Sequence, residues 1–176
     1  MNITVYLGAN DGTAPYLTEA AKELGTFIGA NGHTLIYGGS RSGLMGVLAE
    51  SVLAAGGKVI GVEPQMFVDA GFVYDAIDEL IVTKDMRERR AKMIELGDAF
   101  IAFPGGTGTL EEISEVMSMV SLGHLSAPCV FYDLNGYYQP LRTLMENMLS
   151  HGLSTEERLS GISFAQSFED LKNCIE

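Results

Sequence analysis

The sequence predicts a doubly wound α/β fold over residues 1–176, a mostly parallel sheet with helices on both faces. Three observations predict it. Short apolar runs alternate with longer amphipathic segments along the chain, as strands alternate with crossover helices. Several of the runs, "ITVYLG" and "DAFIAF" among them, are apolar on both faces, as in strands covered from both sides. And 176 residues, 47% of them hydrophobic, suit one core of ordinary size.

Each element has a local reason. "ITVYLG" (3–8) is a strand ending in glycine. Residues 14–32 form a helix, with Pro15 in its first turn and Gly32 at its end. Strand 33–39, helix 43–57 with its glycine stop, and strand 58–62 follow. "EPQMFVDAGFVYDA" (63–76) has neither period and reads as an irregular crossing. A strand at 79–83 leads to a charged helix, 85–97, capped by Asp85. Strand 98–103 runs into glycines, and helix 108–123 opens straight off them. Strand 128–133, a mostly helical 136–152, strand 161–166 and helix 168–176 close the chain. There is no repeat, linker or low-complexity segment, so a single domain is expected.

Composition excludes several function classes. Lys and Arg number 11 against 23 Asp and Glu, a formal net charge of −12. Nucleic acids and anionic membranes carry negative charge too, so neither is expected as a partner. The two cysteines, Cys129 and Cys174, lie far apart and suggest neither a disulfide framework nor a zinc site. Cys129, in the apolar "PCVFY", is a core residue. The N-terminus lacks the pattern of a signal peptide, and no apolar run is long enough to span a bilayer. A reduced, cytoplasmic protein is expected.

In doubly wound sheets ligands sit beyond the carboxyl ends of the strands. Three such segments here are glycine-rich: "LGANDG" (7–12), "YGGSRSGLMG" (37–46) and "PGGTGTLEE" (104–112). The third combines glycines, the hydroxyls of Thr107 and Thr109, and a helix start. A helix start offers unpaired N–H groups and a positive dipole end to an anion. It is not a P-loop, because no lysine lies near 104–112. It is not a dinucleotide fingerprint either, because Glu111 stands where the third glycine belongs. A single phosphate group is the expected ligand.

Carboxylates repel phosphate, yet Glu111, Glu112 and Glu115 follow at once. Glu111 and Glu115 are spaced i,i+4, and Glu112 and Glu115 i,i+3. One first-turn glutamate would complement the helix dipole; three beside a phosphate cradle suggest chemistry. Helix 85–97 carries Arg87, Arg89, Arg90 and Lys92, the main electropositive source in an acidic chain. The stretch 113–125 is apolar on more than one side. A helix of that kind is deeply buried or shared with a second copy, and Met117 and Met119 read as core.

"YGGSRSGLMG", "DMRERRAKM", "DAFIAFPGGTGTLEE" and "LNGYYQPL" together resemble the Lonely Guy (LOG) family of cytokinin riboside 5′-monophosphate phosphoribohydrolases. The resemblance runs from the first strand to about residue 152. It implies a Rossmann-like fold, a homodimer and no cofactor. It also implies hydrolysis of the N-glycosidic bond of an adenosine-type nucleoside 5′-monophosphate, giving free base and ribose 5-phosphate. Relatives have carried the label lysine decarboxylase, but no lysine here has the context of a pyridoxal-phosphate site.

Carried over by position, the catalytic pair falls on Arg89 and Glu112. Phosphate and ribose contacts fall on Gly105, Gly106, Thr107, Gly108, Thr109 and Glu111. Arg90 stands where lysine is usual, and Ser118 keeps a hydroxyl where threonine is usual. In a mechanism with Glu112 at the sugar, Glu111 or Glu115 is expected to hold ribose hydroxyls. Gly39 and Ser40 come from the second glycine-rich turn, Ser40 in place of a third glycine. Asn10 is the nearest polar donor in the first. Arg87 replaces a common histidine, and Gly71 a glutamate that some members place near the base. The residues leave open which glutamate lies nearest the scissile bond. A non-catalytic nucleotide or cofactor carrier of the same fold is the alternative.

Overall fold

The strands run parallel in one seven-stranded sheet, ordered β4-β3-β2-β1-β5-β6-β7 in the computed structural model, which describes residues 1–175. The strands are β1 (Asn2–Tyr6), β2 (Thr34–Tyr37), β3 (Lys58–Pro64), β4 (Glu79–Thr83), β5 (Ala99–Ala102), β6 (Cys129–Tyr132) and β7 (Ile162–Ala165). The helices are α1 (Pro15–Ala30), α2 (Gly43–Ala54), α3 (Gln65–Asp69), α4 (Met86–Leu96), α5 (Thr107–Ser121), α6 (Gln139–Ser150), α7 (Glu156–Leu159) and α8 (Phe168–Ile175).

Strand alternation sorts the core into two layers. Ile3, Val5, Leu35, Tyr37 and Ile101 face α1, α2 and α8, which bring Leu24, Ile28, Leu48, Val52 and Leu171. Tyr6, Ile36, Phe100 and Phe131 face the other way, onto Met93 and Ile94 of α4, Ile113 and Val116 of α5, and Met145 of α6. Both sheet faces are covered, which is why the central strands read as unbroken apolar runs. Cys129 is fully buried in β6. Met117 and Met119 are partly buried and pack on the second layer.

The structure corrects two expectations of detail. Strand β3 does not stop at residue 62: Glu63 pairs with Val82 and Pro64 with Thr83. The charge of Glu63 ended the apolar run, but the parallel ladder to β4 carries the backbone on. The crossing expected to be irregular holds α3 and an isolated antiparallel bridge from Ser40 to Val73. The short helix α7 is a single turn, too brief for a periodic signal; its mark is Thr155, whose side chain accepts from the Arg158 N–H. The last helix is described to Ile175, and Glu176 lies outside the described residues.

The order of strands positions the site. The chain winds outward from β1 to β4, then returns through α4 to begin the other half at β5, beside β1. The winding direction therefore reverses between β1 and β5, and a crevice opens there beyond the strand ends. The first and third glycine-rich segments leave neighbouring strands there: the Phe103 N–H, just before the third, donates to the Tyr6 carbonyl, just before the first, at 2.9 Å.

Candidate functional site

Helix α5 begins at the crevice. Its N-cap, Gly106, supplies no side-chain cap, and no acid lies in the first turn. The first-turn N–H groups of a helix have no intrahelical acceptor. Those of Thr107, Gly108 and Thr109 therefore stand open to an anion, with the dipole in its favour. Gly106, Thr107, Gly108, Thr109 and Asn10 border a cavity of about 330 Å³, together with Arg89 and Glu112.

Helical periodicity puts Glu112 there. Thr109, Glu112, Ile113 and Val116 form the buried stripe of α5. Arg89 lies on the buried face of α4 with Met93 and Ile94. That helix is started by Asp85, whose carboxylate accepts from the Glu88 N–H at 2.9 Å; this bond holds the Asp85 carboxyl below its ordinary range. Glu88 in turn accepts from the Lys84 N–H at 2.8 Å.

Arg89 and Glu112 are 7% and 8% exposed, and Arg89 Nη1 donates to Glu112 Oε1. Arg89 Nε donates to the Val62 carbonyl at 2.8 Å, which fixes the guanidinium plane. Burial pushes the Glu112 carboxyl above the usual range, and Arg89 holds it back in part. The result is a carboxylate more basic than an ordinary glutamate, suited to take a proton from water. Tyr6 is buried beside it. Burial first, then the Glu112 charge, keep that phenol protonated well above its normal range.

The other glutamates face elsewhere. Arg90 Nη1 lies 3.0 Å from Glu111, and its Nε lies 2.9 Å from Glu115. Those carboxylates keep 57% and 43% of their side-chain exposure, so the three groups form an outer cluster. Neither Glu111, Glu115, Arg90 nor Ser118 borders the cavity of Glu112. Gly105 does not border it either: it lines a neighbouring cleft with Tyr137, whose hydroxyl donates to the Gly105 carbonyl at 2.5 Å.

A second cavity, of about 410 Å³, shares Ala9, Asn10, Gly38, Met45, Phe67 and Arg89 with the first. It adds Ser40, Ser42, Glu63 and Phe72. The two form one cleft: an end at the open N–H groups of α5, the Arg89–Glu112 pair in the middle, and a more apolar end. Gly39 packs against Glu63 rather than opening into the cleft.

Sequence reasoning missed Tyr6, Glu63, Met45, Phe67, Phe72 and Tyr137. Glu63 did leave a signal, a lone acid closing an apolar strand at the end where ligands sit. Phe67 and Phe72 lie in the segment without periodicity and left none. Among the described residues, no group of three or more His, Cys, Asp or Glu is arranged to hold a metal.

A family model described as "Possible lysine decarboxylase" matches residues 45–175. The cytokinin riboside 5′-monophosphate phosphoribohydrolase of Rhodococcoides fascians is 40% identical over 169 residues, 96% of this chain and 85% of that protein. The enzyme of the same name, LOG1, of Arabidopsis thaliana is 34% identical, over 99% of this chain and 82% of its own. Among solved structures, the molybdenum cofactor carrier protein of Chlamydomonas reinhardtii superposes with a TM-score of 0.73 at 23% identity, over 97% of this chain and 92% of that one. At that identity the likeness concerns the fold. No helix among the described residues is long and apolar enough to cross a membrane.

Proposed function

The chain belongs to the Lonely Guy family, and from that premise we propose that it hydrolyses the N-glycosidic bond of an adenine-type or cytokinin-type nucleoside 5′-monophosphate, releasing free base and ribose 5-phosphate. The carrying observation is the buried Arg89–Glu112 pair, set in the same cleft as an uncapped helix N-terminus.

The 5′-phosphate binds at the first turn of α5, on N–H groups of Thr107, Gly108 and Thr109 and the threonine hydroxyls. That remote anchor positions the sugar, so its binding energy lowers the barrier at the anomeric carbon. The bond from that carbon to the base breaks, and its electron pair leaves with the base. Positive charge grows on the sugar, and the Glu112 carboxylate stabilises it. Water adds its oxygen to the anomeric carbon and gives a proton to Glu112, and that proton then passes to the departed base nitrogen, so neutral base is released and the carboxylate is restored. Arg89 holds Glu112 in place and offers charge to the departing base.

Glu111, Glu115, Arg90 and Ser118 border neither cavity, so any contact with ribose hydroxyls belongs to a bound state in which the outer cluster turns inward. Exposed Leu110 and Leu122, at the two ends of α5, support a homodimer through that helix. The free Cys129 and Cys174 fit a reducing, cytoplasmic setting. Among the described residues no lysine borders either cavity, which argues against lysine decarboxylation through a lysine-bound cofactor.

Incubation with AMP, GMP and isopentenyl-AMP, followed by chromatography of free base and ribose 5-phosphate, tests the proposal. Release is expected from AMP or isopentenyl-AMP. Adenosine, lacking the phosphate, is expected to react at least about a hundredfold more slowly. Tight binding of AMP with no release of base would favour a carrier instead.

A further inference from the structure

Glu63 has no role in the chemistry above, yet its placement is costly. It stands one residue before the end of β3, is 3% exposed, and its Oε2 has no hydrogen-bond partner. A buried carboxyl left unsatisfied is destabilising, and such groups are retained where a ligand completes them. The fold also makes room for it: Gly39 adopts a φ of +85°, and a side chain there would collide with Glu63 Cγ. The carboxyl borders the 410 Å³ end of the cleft, where Met45, Phe67 and Phe72 supply apolar walls and Ser40 and Ser42 supply hydroxyls. Arg89 borders both ends. A nucleotide anchored by phosphate at α5, with its sugar at Glu112, directs its base into that end.

We propose that Glu63 reads the base, offering its carboxyl to the amino-bearing edge of a 6-aminopurine lodged among Met45, Phe67 and Phe72. The inference rests on the nucleotide-hydrolase reading. A neutral carboxyl presents one donor and one acceptor side by side. That edge of adenine presents N7 as acceptor and N6–H as donor, a complementary pair, whereas 6-oxopurines present two acceptors, N7 and O6. An N6-alkyl substituent leaves one N6–H, so the match survives in cytokinin-type bases.

The surroundings favour the neutral form. Burial raises the Glu63 carboxyl to about 7, Arg89 from α4 opposes this, and Glu112 from α5 adds to it. Among the described residues the buried, unpartnered Tyr37 hydroxyl at the end of β2 also feels the Glu63 charge, and that of Tyr74.

The test compares AMP with IMP in wild type, Glu63→Gln and Glu63→Leu. In wild type, kcat/KM favours AMP by about tenfold to a hundredfold, the worth of one bidentate base contact. Glu63→Gln, which keeps a donor and an acceptor, retains that order. Glu63→Leu brings the two substrates within about threefold while remaining folded by circular dichroism. Wild-type kcat/KM for AMP falls as pH rises through about 7, where the carboxyl loses the proton it donates to N7; in Glu63→Gln that fall is absent. An unchanged AMP-to-IMP ratio in an active Glu63→Leu overturns the inference. Absence of base release by wild type from any nucleotide overturns the hydrolase reading instead. Calorimetric titration of AMP and IMP then decides the role of Glu63 without turnover, because equal loss of both affinities in Glu63→Leu also refutes it.

Discussion

Replacing Glu112 by glutamine separates chemistry from architecture at the centre of the cleft. The amide keeps the shape and an acceptor oxygen for Arg89 Nη1 but removes the charge and the proton acceptor. Removing one partner of a buried ion pair outright costs about 3–5 kcal/mol, because the other charge is stranded. Here Arg89 keeps its bond to the Val62 carbonyl, and the adjoining 330 Å³ cavity admits water, so a cost of about 2–3 kcal/mol is expected. In a domain of this size that lowers Tm by roughly 5–10 °C. A protein with ordinary stability remains folded at 25 °C. Catalysis should suffer far more. Loss of the group that takes the water proton lowers kcat by about 10²–10⁴. KM for AMP should change little, because the phosphate anchor is untouched. Initial rates of adenine release at saturating AMP, with calorimetric melting on the same sample, provide both numbers. A Glu112→Gln protein with kcat within about tenfold of wild type would refute the assignment of Glu112 to the chemistry.

Other perturbations probe separate parts of the site. Gly108→Ala meets no atom within 4 Å and gains helix propensity, so Tm should hold or rise by about 1 kcal/mol equivalent. Its methyl projects from the phosphate-binding turn, so KM for AMP should rise; unaltered KM in steady-state assays would count against phosphate binding there. Arg89→Ala and Arg90→Ala should differ sharply in melting experiments: the first strands a buried glutamate at about 3–5 kcal/mol, while the second removes exposed pairs worth under about 1 kcal/mol. Similar losses in both would contradict the burial contrast. Glu63 predicts a pH dependence of stability. Its folded carboxyl is raised to about 7, above the ordinary range for an unfolded glutamate near 4.3. Between those values the folded state holds a proton that the unfolded chain has released, so stability falls as pH rises through about 7. Glu63→Leu should flatten that slope and raise Tm at pH 8, because no charge remains to be buried; denaturant unfolding at pH 5 and pH 8 measures both.

The glycine loop and the glutamates after it look contradictory in a one-dimensional reading, since carboxylates repel phosphate. The helix resolves the conflict. The open N–H groups of Thr107 to Thr109 form the first turn of α5, and Glu112 lies a turn further on. There its charge meets Arg89 and faces the centre of the cleft. Glu111 and Glu115, on the flanks, share an ion pair with Arg90.

The sequence by itself determined much of this protein. Apolar runs set the strands, because a strand covered on both faces must be apolar on both, as β1 and β5 are. The glycines and threonines of 104–112 announced the start of α5 and its open N–H groups, because those groups act locally along the chain. The residues alone did not choose among the three acids; only the family motif singled out Glu112, and the fold buries it in one stripe with Thr109, Ile113 and Val116. Only the tertiary structure decided what that stripe faces. Arg89 reaches Glu112 because α4 and α5 lie on the same side of the sheet, and the return from β4 to β5 brings them together. Glu63 read as the first residue of an irregular crossing, because its meaning depends on α3, on the bridge from Ser40 to Val73, and on Phe72, all distant or without periodicity. Local conformation answers to local side chains, but a cleft is assembled by the order in which strands lie side by side, and that order is set by packing across the whole sheet.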